Sequence, residues 1–228
     1  MEAWHQHYPK GIAPQIDVNN YQSINEVIAT TVNKYSEKTA FSNMGIEMSY
    51  QEIDRLSDYF ANYLTHKCGL KKGDRIALQM PNVLQFPVAL FGAIKAGLIV
   101  VNTNPLYTER EMLHQFKDSQ AKAIVILANF ACHLEEIIDQ TNIEHVIITE
   151  IGDLFPTVKK LVVNGAIRYV KKMIPKYSLP QATSFLKTLE EGKAYDFKLV
   201  ESTRDDIAFL QYTGGTTGVA KGAMLTHG

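Results

Sequence analysis

Apolar residues recur with helical spacing in two early segments, and each segment opens with a capping signal. Ser23 precedes Glu26 by three residues, and Ser49 precedes Glu52 by the same distance. At this spacing, serine and glutamate side chains can satisfy the free backbone N–H groups of a helix start. The predicted helices cover residues 24–35 and 50–68, with apolar stripes formed by Ile24, Val27, Ile28 and Val32 and by Ile53, Leu56, Tyr59, Phe60, Tyr63 and Leu64.

Short apolar runs then alternate with helical periodicity. The predicted strands are 75–80, 98–102, 123–127 and 145–149, and the predicted helices are 83–96, 108–118 and 130–139. A third capping signal, Thr108 with Glu111, opens the middle helix. Strands that alternate with helices through short turns favour parallel pairing. The sequence therefore predicts an α/β fold, a layered sheet with flanking helices.

Residues 151–200 break this alternation. Six basic residues fall within 159–176, and no acidic residue lies between 154 and 189. The basic residues are Lys159, Lys160, Arg168, Lys171, Lys172 and Lys176, interleaved with apolar residues. The pattern predicts a basic amphipathic helix, interrupted at Gly165 and stopped by Pro175. One interpretation places the segment 159–176 on an anionic membrane surface. The other is a helix packed on the domain with its lysines facing water.

Composition narrows the class of protein. The 228 residues are 46% hydrophobic and carry a formal net charge of -1, which is typical of a globular protein. Such a balance argues against nucleic-acid binding by bulk electrostatics. Cys68 and Cys132 lie far apart and fit reduced thiols of a cytosolic protein. We read no signal peptide at the N-terminus and no apolar run long enough to span a bilayer.

A glycine- and threonine-rich segment carries the chemistry. An apolar strand predicted over 207–212 is followed directly by this segment, which reads Thr213, Gly214, Gly215, Thr216, Thr217, Gly218, Val219, Ala220, Lys221, Gly222. Glycines let backbone N–H groups converge on a polyanion. The threonine hydroxyls and the Lys221 ammonium add further donors. The segment therefore predicts a loop that cradles nucleotide phosphates.

Two other interpretations of this loop are weaker. A turn that binds no ligand explains the glycines, but it does not explain three hydroxyls and a lysine together. A Walker-type loop needs a lysine directly after its last glycine and then a helix. Here Lys221 comes three residues after Gly218, and residues 223–227 have the pattern of a strand. We therefore expect a phosphate loop set in a β-hairpin.

The segment from Tyr212 to His227 resembles the signature phosphate loop of the adenylate-forming enzymes. These include acyl-CoA synthetases, luciferases and the adenylation domains of peptide synthetases. The common motif has Ser or Thr where Gly215 stands and Pro where Ala220 stands. The form seen here resembles bacterial long-chain fatty acid–CoA ligases. Segments 9–21, 73–77, 80–82 and 101–108 agree with that resemblance.

The resemblance implies a reaction in two steps with ATP, Mg²⁺, a long-chain fatty acid and coenzyme A. The implied nucleotide-binding residues are Tyr212, Thr213, Gly214, Gly215, Thr216, Thr217, Gly218, Val219, Ala220, Lys221, Gly222 and Ala223. Within this set it implies catalytic roles for Lys221 and Thr217. Thr217 would also carry the hydroxyl associated with the metal ion. The histidines add no metal-ligand spacing beyond His5 and His7, which lie in the N-terminal arm.

The resemblance also implies a domain organisation. Residues 1–22 form an arm, and 23–228 form part of the AMP-binding N-terminal domain, left incomplete. Family members are roughly twice as long, and their C-terminal domain is absent here. We therefore expect this chain alone to lack ligase activity. A cytoplasmic location, contact with the inner face of the cell membrane and a homodimer are compatible with the resemblance. Alternatives are a ligase for another carboxylic acid, or a non-catalytic remnant that binds nucleotide or membrane.

Overall fold

The computed structural model describes residues 3–13, 15–213 and 220–228. Its helices are α1 (Ile24–Tyr35), α2 (Tyr50–Asn62), α3 (Gln85–Lys95), α4 (Glu109–Ser119), α5 (Ala131–Glu135), α6 (Thr157–Gly165) and α7 (Phe185–Gly192). Its strands are β1 (Thr39–Asn43), β2 (Ile46–Ser49), β3 (Arg75–Gln79), β4 (Ile99–Asn102), β5 (Ala123–Leu127), β6 (His145–Thr149), β7 (Thr183–Ser184), β8 (Ile207–Thr213) and β9 (Lys221–Thr226).

Seven of these strands form one sheet in the order β7-β6-β5-β3-β4-β8-β9. The first six strands in this order, from β7 to β8, are parallel to one another. In this sheet, only β9 pairs antiparallel to its neighbour, β8. The predicted parallel α/β sheet is confirmed. After β3 the chain moves to one side for β4 and returns to the other side for β5. Where the order of strands reverses in this way, a crevice opens at the carboxyl ends of the central strands.

Both faces of the central strands are covered, which explains their continuous apolar runs. All five residues of β5 are buried. Ile76 and Leu78 of β3 pack in the cluster that contains Phe60 of α2 and Val88 of α3. Ala77, between them, points to the opposite cluster, which contains Phe116 of α4 and Leu134 of α5. Alternate residues of one strand therefore hold two helical layers against a single sheet.

The three capping signals define real helix starts, but only the third forms a complete capping box. Ser49 Oγ accepts a hydrogen bond from the Glu52 amide at 3.1 Å. Thr108 and Glu111 form the full reciprocal arrangement. The Glu26 carboxylate instead accepts from the amide of Gln22 at 2.6 Å, so only the serine half of the first capping box is present.

Some predicted details are wrong. Val27 is 39% exposed and Asn25 is buried in its place, because α1 contacts the domain through a face turned away from Val27. The helix predicted over 130–139 shortens to α5 with single helical turns on either side. The backbone at Ile137 leaves the helical region, at φ −123°. This departure ends the regular helix while the Ile137 side chain stays buried.

Two regions carry elements that the sequence pattern did not predict. β1 and β2 form a hairpin whose turn places Met44 at φ +49° and Gly45 at φ +74°. Two residues with positive φ suit such a turn, and the usual sequence is Asn-Gly. Because Met44 stands where Asn is usual, the sequence does not indicate a hairpin turn here. Helix α7 and the short β7 lie after residue 176, in a stretch for which no element was predicted.

The basic segment is helical, as predicted, but it is not interrupted at Gly165. Helix α6 passes through Gly165 into a wider helical turn, Ala166–Val170, so the glycine keeps helical backbone angles. The helical region ends where Lys172 takes φ +51°, ahead of Pro175. Within the described residues, no helix is both long and apolar enough to cross a membrane.

Candidate active site

The predicted phosphate loop joins two strands of a β-hairpin. Thr213 ends β8 and faces Lys221 at the start of β9, and Tyr212 faces Gly222 in the next pair. The predicted hairpin setting is therefore confirmed. Six predicted residues, Gly214, Gly215, Thr216, Thr217, Gly218 and Val219, lie outside the described residues. Their contacts with phosphate, and the metal-associated role of Thr217, stay predictions.

Helix α4 holds both strands of this hairpin. The Tyr212 hydroxyl donates a hydrogen bond to Asp118 Oδ2 at 2.5 Å. His114 Nε2 lies 2.9 Å from the carbonyl oxygen of Ala220, where it can act as a donor. Burial, followed by the neighbouring Asp118 carboxylate, raises the pKa of the Tyr212 hydroxyl, so the group remains a protonated donor. The sequence analysis did not find this support from α4, because nothing in the pattern links residues a hundred positions apart.

Gly222 makes close contact between the strands possible. A Cβ atom added at this position would lie 2.9 Å from Cε2 of the Tyr212 ring. The ring therefore packs closely against the glycine, and its hydroxyl reaches α4. Tyr212 was predicted to contact nucleotide, and the structure places its hydroxyl against Asp118 beneath the hairpin.

Thr213 and Lys221 lie at the mouth of the hairpin with exposed side chains. Because they are cross-strand partners, a hydroxyl and an ammonium group lie side by side where the loop begins and ends. Ala223, the last predicted residue, is also exposed. An arrangement of this kind suits a polyanion that approaches from solvent.

A cavity of about 400 Å³ opens beside the hairpin, at the carboxyl ends of β3, β4 and β8. Its lining includes Leu78, Asn102, Asn104, Tyr107, Gln211 and Tyr212. Its position is the crevice expected from the strand order, where α/β proteins bind ligands. The sequence analysis did not assign these residues to a site. The available signal was the polar Asn102 at the end of one apolar strand and the polar Gln211 within another.

Amide side chains order the wall of the cavity. Asn102 Nδ2 donates to Gln211 Oε1 at 3.0 Å across the β4–β8 pair. Gln115 of α4 donates to the Asn102 carbonyl oxygen at 3.0 Å. Asn102 Oδ1 is buried and has no hydrogen-bond partner within the part of the chain that the structure describes. A donor on a bound ligand would satisfy this oxygen.

Other reactive side chains lie elsewhere. His5 and His7 occupy an exposed helical turn in the arm. No group of three His, Cys, Asp or Glu side chains suited to a metal ion occurs among residues 3–13, 15–213 and 220–228. Cys68 and Cys132 are free thiols, as predicted. Burial raises the pKa of Cys68 to about 11, which keeps its thiol protonated and unreactive at neutral pH.

Together, the fold and the site define a class of protein. The model of the AMP-binding enzyme family matches residues 28–228, and the chain belongs to that family. Among curated relatives, a long-chain fatty acid–CoA ligase of Escherichia coli is 50% identical over 226 residues, which is 99% of this chain and 40% of that protein. The corresponding ligase of Bacillus subtilis is 31% identical over all of this chain and 40% of its own length. The chain thus spans about 40% of the length of these relatives.

Solved structures agree on the fold. An anthranilate CoA ligase in complex with anthranoyl-AMP superimposes with a TM-score of 0.73 at 20% identity, over 91% of this chain and 35% of that one. A long-chain fatty acid–CoA ligase from Archaeoglobus fulgidus gives a TM-score of 0.69 at 24% identity, over 90% of this chain and 37% of that one. At these identities, the likeness concerns architecture alone.

Proposed function

We propose that this chain forms the AMP-binding part of an ATP-dependent long-chain fatty acid–CoA ligase. The observation that carries the proposal is the 50% identity to a ligase of that activity along 99% of this chain. The site supports it as well. The hairpin that carries the predicted phosphate loop lies beside a cavity at the crevice of a parallel sheet.

The proposed reaction has two steps. The fatty acid carboxylate attacks the α-phosphorus of ATP, forms an acyl-adenylate and releases pyrophosphate. The thiol of coenzyme A then attacks the acyl carbonyl carbon, and AMP leaves. The first step needs no general base, because the carboxylate is already ionised at neutral pH.

The residues of this chain would stabilise charge in the first step. Lys221 and Thr213 lie together at the mouth of the hairpin, where an ammonium and a hydroxyl can donate to phosphate oxygens. The anchoring of Tyr212 and Ala220 to α4 holds these donors in a fixed position before nucleotide arrives. Mg²⁺ would accompany ATP and neutralise phosphate charge, with the Thr217 hydroxyl as its proposed partner.

The cellular setting belongs to the same proposal. We infer a cytoplasmic protein that works at the inner face of the cell membrane, assembles as a homodimer and supplies acyl-CoA to β-oxidation. The support is the likeness to long-chain ligases, whose acid substrates partition into membranes.

A chimera tests the proposed role of the hairpin. This chain would replace the matching 40% of the E. coli ligase, and ATP–pyrophosphate exchange would be measured with oleate. We expect exchange in the chimera and a loss of about a hundredfold in a chimera with Lys221→Ala. Lys187→Ala, at an exposed lysine of α7, is the matched control and should keep the rate. A folded chimera that is indifferent to Lys221→Ala would contradict the proposal. We expect this chain alone to show exchange no higher than the blank.

A further inference from the structure

The solvent-facing side of α6 is apolar. Val158, Leu161 and Val162 are between 65% and 76% exposed, and Tyr169 in the following turn is 75% exposed. At the helical repeat of about 100° per residue, these positions share one side of the helix. A surface helix of a globular protein normally turns such a side inward. Helix α6 has the reverse orientation.

Polar contacts on the inner side fix this orientation. Asn164 Oδ1 accepts from the Gly152 amide at 2.8 Å, and Asn164 Nδ2 donates to Asp153 Oδ1 at 3.0 Å. One turn further on, Arg168 Nη2 donates to Glu150 Oε1 at 2.7 Å. Rotation of the helix to bury its apolar side would break all three hydrogen bonds. The apolar side therefore stays exposed because the polar side is held.

The exposed apolar surface continues past the helix. Val170 is 78% exposed and Met173 is 53% exposed, and the Met173 carbonyl oxygen accepts from Asn129 Nδ2 at 3.0 Å. We call this surface the docking face; it comprises Val158, Leu161, Val162, Tyr169, Val170 and Met173. Exposed apolar surface of this extent on a protein marks an interaction site.

Lysine residues lie at both ends of the docking face. Lys171, Lys172 and Lys176 are exposed at its C-terminal end. Lys159 lies at the other end, where its ammonium donates to the Met44 carbonyl oxygen. From residue 155 to residue 189 the sequence contains no Asp or Glu. Cations at the rim of an apolar surface match the charge of an anionic lipid layer. In contrast, a second copy of the same face would bring like charges together.

We propose that the docking face inserts into the headgroup layer of an anionic phospholipid membrane, with Lys171 and Lys172 at the lipid phosphates. The proposal rests on the proposed function in one respect, since a ligase for long-chain acids has its substrate in that layer. The membrane would contact only one side of α6 and the turn that follows it. This contact also accounts for the outward orientation of Val158, Leu161 and Val162, whereas Val163 of the same helix packs against the core.

Co-sedimentation of the protein with vesicles tests the proposal. Two compositions are compared, phosphatidylcholine alone and an equal mixture of phosphatidylcholine and phosphatidylglycerol. We expect binding to the mixed vesicles that weakens with added salt. Leu161→Glu with Val162→Glu should reduce that binding by roughly tenfold or more. Lys171→Glu with Lys172→Glu should reduce it by a similar factor.

The matched control is Ile16→Glu with Val18→Glu, two exposed apolar residues of the N-terminal arm, and its binding should equal that of the unchanged protein. Equal binding by the Leu161/Val162 variant, or no binding of the unchanged protein to mixed vesicles, would overturn the proposal. A dimer that dissociates in this variant without any lipid binding would reassign the face to self-association and would also overturn it. Pyrophosphate exchange of the chimera with octanoate, a soluble acid, needs no vesicles and reports on the proposed function separately.

Discussion

Helices α2 and α6 are both amphipathic in sequence, yet they present their apolar sides in opposite directions. In α2, Ile53 and Phe60 are buried at 3% and 0% exposure against the sheet and α3. In α6, Leu161 and Val162 are 67% and 65% exposed. Helical periodicity therefore reveals that a helix has an apolar side, but it does not reveal what covers that side.

Polar groups account for the difference. On α2, Asp54 and Asp58 both accept from Lys95 Nζ of α3 at 2.6 Å. The polar contacts and the apolar contacts of α2 therefore favour the same rotation of the helix, with its apolar side toward the core. On α6, Asn164 and Arg168 are held to the domain, and the apolar side is left facing solvent. The interpretation of 159–176 as a helix packed on the domain with lysines toward water holds in part. Lys171, Lys172 and Lys176 are exposed, whereas Lys159 and Lys160 are half-buried.

The largest expected effect comes from removal of a buried side chain of α2. Phe60 is fully buried, and its ring lies 5.2 Å from that of Phe185 in α7. Phe60→Ala should lower the free energy of unfolding by about 3–5 kcal/mol, because it leaves a cavity between three helices. Urea denaturation followed by circular dichroism measures this. Phe41→Ala, at a residue 41% exposed, is the control, and a loss in Phe60→Ala no larger than in this control would contradict the packing described.

A smaller effect is expected from the ion cluster between α2 and α3. Lys95→Met leaves two carboxylates facing each other and should cost about 2 kcal/mol, since both retain some contact with water. Burial raises the pKa of Asp58, so the stability contributed by this carboxyl is present at low pH and is lost as pH rises through the pKa of the folded state. Without the ammonium this pKa rises further.

The deficit of the Lys95→Met variant should therefore shrink as the pH is lowered toward the raised pKa of Asp58, and denaturation at a series of pH values tests this. Lys187→Met, which removes an exposed pair with Glu191, should show no such trend. A deficit that is the same at every pH would show that the carboxylates do not interact.

An effect of about 1 kcal/mol is expected at the start of α2. Ser49 Oγ accepts from the Glu52 amide, and Ser49→Ala leaves that amide without its partner. Helix α6 begins after Pro156 and has no side-chain cap to lose. Thermal denaturation should show a lower midpoint for Ser49→Ala and a nearly unchanged one for Ser49→Thr. Equal losses in the two variants would point to the side-chain volume and not to the cap.

The smallest effect on stability is expected on the exposed side of α6, and it tests the contrast between α6 and α2 most directly. Leu161→Ser with Val162→Ser should change the free energy of unfolding by no more than about 0.5 kcal/mol, because neither side chain leaves water on folding. Urea denaturation, run beside Phe60→Ala, gives the ratio of the two effects. A loss above that of Ser49→Ala would mean that the docking face is covered within the protein.

Much of the fold could be predicted because it rests on local patterns. The apolar runs of β3, β4, β5 and β6 appear within a residue or two of the observed strands. The turn at Met44 was missed because an unusual residue occupies it. In the candidate site, the predicted phosphate loop is contiguous in sequence, and its setting in a β-hairpin was predicted correctly. The cavity was missed because Leu78, Asn102 and Gln211 meet only when three parallel strands align.

By itself, the sequence determined the helices α1 and α2, the alternation of strands and helices over 75–149, the parallel sheet, the hairpin setting of the predicted phosphate loop and the presence of a basic amphipathic helix. These follow from periodicity, capping and glycine chemistry, which act over a few residues. Only the tertiary structure decided that α4 anchors the hairpin through His114 and Asp118, and that α6 turns its apolar side outward. Such outcomes depend on which distant polar partners a helix finds, and the rotation of a helix is set by those partners as much as by its own apolar stripe.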